Sequence, residues 1–419
     1  MNMAATAICA GDVVPVRARV MPRLEGMIAR YRAVLAIPGS LRLYVTGVFA
    51  RLPQGMSGLA TLLLVREATR SYALAGLAVG IQAVAIALVG PLQGRLVDRH
   101  GRARVLVPWA VSQTALFVAL VLFAHEHAPG FSLVLISAAI GAALPAIAPA
   151  VRALLRAVIV EDAAQEAAYA LESVIQELIW ITGPLIVGVI IAVGSASIAL
   201  LVCAALSLTG TVLFVGMPAS RARPPVPATS TSGGLRALPE LRALLLPIGL
   251  MGFAIGSTEV GLPSLALHAG SRASTGLLLA MWSLGSMIGG LLHGSREWSV
   301  GLSERYQRLL AGAVLCAGPL VFAHTIQFGL VGALLTGLTI APVFSCQYAL
   351  VGRVVPDGAE TEAFTWMSSA LVGGIAGGSA LGGALIGAGG VSAPFIVSCG
   401  ALAVAALTSV RARKITMVA

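Results

Sequence analysis

The sequence predicts an all-α polytopic membrane protein whose twelve transmembrane helices form two six-helix halves. Three observations carry that prediction. First, 58% of the 419 residues are apolar, only 11% are charged, and the mean hydropathy is +0.94, the balance of a chain solvated by lipid. Second, the apolar segments run to about twenty residues or more, enough for a helix to cross the hydrocarbon, and lack the ten-residue alternation of a membrane barrel. Third, the basic residues fall in small groups between those segments, almost all on one side.

In chain order, apolar spans lie near 41–65, 73–97, 105–124, 131–155, 167–193, 196–216, 243–268, 273–293, 308–324, 328–351, 363–388 and 393–410. With both termini inside, 23 of the 27 Lys and Arg residues face the cytoplasm. The outer loops then hold only Arg66, Arg70 and Arg272, and Arg51 lies within a span. This asymmetry predicts a multi-pass protein of the cell membrane with both ends cytoplasmic, and it requires an even number of spans. The organisation expected is a cytoplasmic tail over 1–40, a first half over 41–217, a cytoplasmic linker over 218–242, a second half over 243–410 and a tail over 411–419. The linker reads PASRARPPVPATSTSGGLRALPE from Pro218 to Glu240, a composition that cannot build a core. The first forty residues lack the apolar core and cleavage site of a signal peptide. Within them, Met27 to Ser40 reads as a short amphipathic segment on the inner leaflet.

Several function classes are excluded. The formal charge of +10 is spread between spans as topological anchors and does not form a basic face for nucleic acid. Lys414 is the single lysine, so the chain has no P-loop to bind ATP and no Schiff-base lysine for a cofactor. Cys9, Cys203, Cys316, Cys346 and Cys399 show no paired spacing, and His125 and His127 stand without further metal ligands nearby. Ser, His and acidic residues never gather in a catalytic order. The expectation is no cofactor, no metal and no enzyme.

The two halves repeat faintly. Pro145 and Arg156 match Pro342 and Arg353 at an offset of 197; Tyr169, Gly183 and Gly188 match Phe364, Gly378 and Gly383 at 195; Gly94 matches Gly290 at 196. Two six-span halves around a polar linker are the plan of transporters whose solute site lies between the halves at mid-membrane. After span two the chain reads Gly94-Arg95-Leu96-Val97-Asp98-Arg99-His100-Gly101-Arg102-Ala103-Arg104. Gly94 permits close helix approach, Gly101 supplies a turn with positive φ, and Arg99 and Arg102 hold the turn among headgroups. This stretch resembles the signature of the major facilitator superfamily. The resemblance implies that Asp98 faces the cytoplasmic N-terminus of helix eleven, where the helix dipole favours a carboxylate by up to about 1–2 kcal/mol. At the equivalent turn, Gly290 to Arg296, the second half has no acid, so the gate is expected to be asymmetric.

Span five carries Gly183-Pro184-Leu185-Ile186-Val187-Gly188. This is similar to the Gly-Pro motif of antiporters in that family, and it reads equally as a packed kink. Span four lacks the membrane-embedded arginine of many drug exporters, since Arg152 and Arg156 fall at its inner end. Glycines four residues apart recur at Gly76/Gly80, Gly90/Gly94, Gly285/Gly289 and Gly374/Gly378/Gly382, as static packing or as sliding contacts.

Charges inside the hydrocarbon point to mechanism, because each costs a few kcal/mol unless paired or wetted. Arg51, Glu177 and Glu259 each lie within roughly 5 Å of a helix midpoint, while Glu172 is roughly 12 Å toward the cytoplasm and reads as an inner-gate or snorkelling acid. Arg51 is expected to pair with Glu177, leaving Glu259 as the carboxyl free to exchange a proton. Gln54, Gln176, Trp282, Gln347 and Tyr348 could line a cavity. The leading function is proton-coupled export of a small amphiphilic or drug-like solute by alternating access. The partners are then solute, protons and membrane lipid, with neither ATP nor nucleic acid. An uptake symporter or facilitator for a metabolite is the alternative within transport, and a non-transporting sensor or enzyme on the same fold is the alternative outside it.

Overall fold

The computed structural model describes residues 5–9, 12–16, 27–159, 161–221, 239–271, 274–296 and 298–416. Most of the expected linker, 222–238, lies outside them. The described chain opens with an antiparallel pair, β1 (Ala5–Cys9) and β2 (Asp12–Val16), where the composition had suggested only a tail. Helix α1 (Met27–Ala36) follows, then a turn in which Gly39 takes φ +85°, and then α2 (Ser40–Thr69).

The first half continues with α3 (Tyr72–His100), α4 (Arg102–His125), α5 (Gly130–Ala142), α6 (Ile147–Val158), α7 (Asp162–Val193), α8 (Ala196–Val215) and the short α9 (Pro218–Arg221). The second half holds α10 (Pro239–His268), α11 (Ser274–Gly294), α12 (Leu302–Val321), α13 (Ile326–Val354), α14 (Glu360–Gly389) and α15 (Ala393–Thr416). Side-chain oxygens set several starts. Ser71 accepts from the Leu74 N–H at 3.2 Å, Ser195 from Ile198 at 3.3 Å and Thr325 from Phe328 at 3.4 Å, each satisfying a helix-start donor.

Span four is two helices. Pro145 has no N–H to donate and disfavours helical backbone at Leu144, so the chain unwinds between Ala142 and Ile147. Its repeat mate Pro342 sits inside the unbroken α13. Among the described residues eleven spans are long and apolar enough to cross a membrane. The twelfth helix of the bundle, α12, opens on Glu304, Arg305 and Arg308 and packs between α13 and α15.

Core packing divides unevenly. One apolar cluster joins the inner part of the first half, including Leu43, Val151 and Tyr169, to residues throughout the second half such as Phe364 and Leu402. A separate cluster around Met56, Phe117, Leu133 and Cys203 fills the outer part of the first half alone. The halves therefore share a core at the end where the linker attaches and diverge toward the other end. Glycines track the divergence. A side-chain carbon at Gly94 would strike Thr365 and Glu362 of α14, and one at Gly290 would strike Val174 of α7. Gly80 and Gly276, fourteen residues further out on the same helix faces, meet nothing.

Of the glycine pairs noted in the sequence, Gly90/Gly94 lie against the opposite half. Gly285 and Gly289 press on the α13 backbone, and Gly374 and Gly378 on the α10 backbone, each within its own half, while Gly76 and Gly80 face open space. Of the two readings offered for these glycines, static packing within one half is the one that fits span eleven. Its glycines are occupied by α10.

Candidate functional site

The linker end is sealed by polar contacts across the halves. Asp98, at the end of α3, accepts from the N–H groups of Thr361 at 3.1 Å and Glu362 at 2.8 Å, capping the first turn of α14. Arg95 pairs with Glu362 at 2.7 Å. Gly101 takes φ +89°, turning the chain from α3 into α4. Arg99 points outward. Arg102 is within electrostatic reach of Asp98 and Glu360. Repeat-related ion pairs flank this corner: Arg156 reaches Asp357 at 3.4 Å and Glu360 at 3.0 Å, while Arg353 reaches Asp162 at 3.5 Å and Glu166 at 3.2 Å. Arg305 adds a bond to Glu166 at 2.6 Å. Above them the repeat mates Tyr169 and Phe364 meet, ring centroids 6.2 Å apart, and Tyr348 packs on Tyr169 at 6.3 Å. These rings close the boundary with apolar surface.

One layer further from the linker end lies a buried charge cluster. Arg51 pairs with Glu172 at 2.5 Å and donates to the Gly47 carbonyl at 3.0 Å. Arg152 approaches the same carboxylate at 3.5 Å. It also donates to the Tyr348 hydroxyl at 3.1 Å and to Gln176 at 3.4 Å, with its guanidinium 4.1 Å from the Tyr348 ring centre. A single carboxylate thus serves two guanidinium groups. Through Tyr348 the cluster reaches across to the second half.

Three sequence expectations change here. Arg51 pairs with Glu172 and not with Glu177, because α7 begins at Asp162, five residues before the apolar run. Both α2 and α7 start at the linker end, so Arg51 stands about 16 Å and Glu172 about 15 Å along their helices, whereas Glu177 is about 22 Å along. Arg152 is a buried interior arginine and no end-of-span anchor, since α6 continues to Val158 and the ion-pair layer lies beyond it. Of the residues read as cavity lining, Trp282 does border a space, whereas Gln347 is buried in a side-chain contact. Trp282 borders a small space inside the second half with Thr258, Thr336 and Ser398, and Gln347 donates to Tyr306 at 3.2 Å on α12.

Glu177 and Glu259 remain without an ion-pair partner among the described residues. Glu177 is 9% exposed where α7 and α11 part, beside Ser286, and within electrostatic reach of Glu259 on α10. The Glu259 side chain is exposed. Gln54 is half-buried on α2, one turn outward of Arg51. Gly183 packs backbone to backbone on Gly55 of α2, and Pro184 lies inside the continuous α7. Gly188 meets open space. Among the described residues no three His, Cys, Asp or Glu side chains are grouped to hold a metal.

Comparison with solved structures finds the same architecture in transporters. A bacterial homologue of the iron transporter ferroportin in an outward-facing state is 15% identical, with a TM-score of 0.75 over 89% of this chain and 99% of that one. The same kind of homologue with soaked iron is 14% identical, with a TM-score of 0.72 over 89% and 98%. The human organic anion transporter MFSD10 (TETRAN) is 15% identical, with a TM-score of 0.69 over 91% and 99%. At these identities the likeness is one of fold. No curated protein sequence matches the chain. Residues 43–317, from the first span into the ninth, match the Major Facilitator Superfamily. With eleven membrane-length spans and α12 among the described residues, arranged in two halves that meet at the linker end, the chain belongs to that superfamily of membrane transporters and is not an enzyme.

Proposed function

We propose that this transporter exports a small amphiphilic or drug-like solute by proton antiport, with Glu259 as the proton-carrying group. The observation that supports this most directly is the pair of acids without ion-pair partners among the described residues, buried Glu177 on α7 of the first half and exposed Glu259 on α10 of the second, within electrostatic reach of each other. Neither acid is neutralised by an arginine among the described residues, as Glu172 is, which leaves both to meet a proton or a cationic group. A cationic or amphiphilic solute and a proton would compete for these acids, and that competition would couple their opposed movements. The arginine asymmetry supports a cytoplasmic linker end, with units 41–217 and 243–410 rocking about the site. In that orientation the closed end faces the cytoplasm.

The test is Glu259→Gln in inverted vesicles with an imposed pH gradient. The variant should lose pH-driven accumulation yet keep solute exchange at equal pH. Continued uphill accumulation by the variant would remove Glu259 from the coupling step. Orientation has its own check. An impermeant thiol reagent on intact cells should label a single cysteine at Ala128 and spare one at Ser230.

A further inference from the structure

The repeat offset that relates Gly94 to Gly290 carries Asp98 onto Gly294. In the first half the Asp98 carboxylate ties α3 to the opposite half through the N–H groups of α14. At the end of α11 there is no side chain to do the same. The place is filled from outside the repeat, by α1.

Tyr31 lies with its hydroxyl against Gly294, where any side-chain carbon would collide with that hydroxyl and with Ala170 of α7. The hydroxyl donates to the carbonyls of Gly290 at 3.2 Å and Leu291 at 3.1 Å, in the last turn of α11. Arg30 donates to the carbonyl of Arg296, just past α11, and to that of Ala163 in the first turn of α7 at 3.4 Å. Val34 is fully buried, while Arg32 and Leu35 face outward. A ten-residue helix attached to the first half therefore grips both α7 and the end of α11 through two side chains aimed at main-chain carbonyls, that of Leu291 being shared with the Ser295 N–H.

We propose that α1 is the second gate of the linker end, a releasable latch that stands in for the acid missing at Gly294. It must undock from α11 each time the halves part there. Two features suit it to release. Its bonds to α11 are to backbone carbonyls that water can satisfy once exposed. It joins α2 through Pro38 and Gly39, whose φ of +85° marks a joint open to glycine and strained for other residues. The short segment expected to lie on the inner leaflet is thus a part of the gate, and Gly294 is small because Tyr31 occupies its space.

The inference rests on alternating access but not on any particular cargo or coupling ion, so its test measures the linker end directly. Spin labels at Arg104→Cys and Arg242→Cys, both exposed at that end on opposite halves, report its opening by pulsed electron resonance in a background without native cysteines. Tyr31→Phe, which keeps the ring and removes the hydroxyl, should raise the open fraction about fivefold, the weight of roughly one hydrogen bond. Tyr31→4-azidophenylalanine, photolysed to attach α1 to α11, should abolish the open population in the same sample that showed it before irradiation. An attached α1 that leaves the open fraction unchanged would overturn the proposal. So would an open fraction in Tyr31→Phe equal to that of the parent. Loss of pH-driven transport with these distances behaving as expected would count against proton coupling alone.

Discussion

The two corners of the linker-end seal follow one plan with different chemistry. At the α3–α14 corner a carboxylate on one half meets helix N–H groups on the other, and arginines bracket it. At the repeat-related α11–α7 corner the donors are Tyr31 and Arg30 and the acceptors are backbone carbonyls. The contrast continues inward. Glu172 and Arg152 form the buried cluster of the first half, and the same offsets that match their spans place Met367 and Ala349 in the second. The first half supplies the charges of this cluster, and the second meets it with the ring and hydroxyl of Tyr348. The closed end is thus held by dissimilar bonds, so the two corners should differ in sensitivity to substitution.

The largest expected effect comes from the cluster that only the first half possesses. Glu172→Leu leaves two buried guanidinium groups without their carboxylate and should lower stability by about 3–5 kcal/mol or prevent accumulation of folded protein, read as the unfolding midpoint in detergent. Adding Arg51→Leu to Glu172→Leu should recover part of the loss, while Arg51→Leu with Glu177→Leu should be additive in a double-mutant cycle. The opposite pattern would return Arg51 to Glu177. Next is Asp98→Asn, which can accept one of the two N–H bonds and carries no charge to the α14 helix end. Turnover should fall severely with solute affinity still measurable, and the closed end should weaken by about 1–2 kcal/mol. Unchanged turnover in well-expressed protein would make the two corners equivalent in kind.

At the other corner Gly294→Ala should act through crowding. Its methyl group would displace Tyr31, and the linker end should open more often, by a factor close to that of Tyr31→Phe. A greater opening than Asp98→Asn gives would reverse the ranking of the corners. The smallest effect is expected for Arg353→Ala, whose side chain is 42% exposed and whose partner Asp162 is 79% exposed. Such a pair contributes at most about 1 kcal/mol, and transport at moderate salt should change less than twofold.

The fold was legible because lipid leaves few options: long apolar runs must be helices, and arginine placement orients them. The turn from Gly94 to Arg104 was equally readable, since a glycine, an acid and a basic turn announce their geometry in adjacent residues. The pairing of Arg51 was not. Depth along a helix depends on where the helix starts, and α7 begins one and a half turns before its apolar run, in residues polar enough to pass for a loop. Arg152 was hidden by the same error at the other end of a span. Pro145, noted only as a repeat match, was the usable signal, because a break there shifts which residues belong to the inner helix. Gln347 was assigned by residue type, and type does not say which face of a helix carries a side chain. The role of α1 required the repeat and the structure together, because an absence at Gly294 becomes informative only when Tyr31 is seen to fill it.

The backbone contact between α10 and α14 has a mechanical consequence. Gly249, Gly252 and Gly256 of α10 interleave with Leu371, Gly374, Ile375 and Gly378 of α14, and Ser257 and Ser379 donate across to the carbonyls of Gly378 at 3.1 Å and Gly256 at 3.2 Å. Helices locked so closely over more than two turns move as one stiff lever. Its near end is the α14 turn that Asp98 caps, and on its far arm is Glu259. A load applied at Glu259 therefore bears on the Asp98 seal without any intervening chain of side chains, and breaking that seal must swing Glu259 in return.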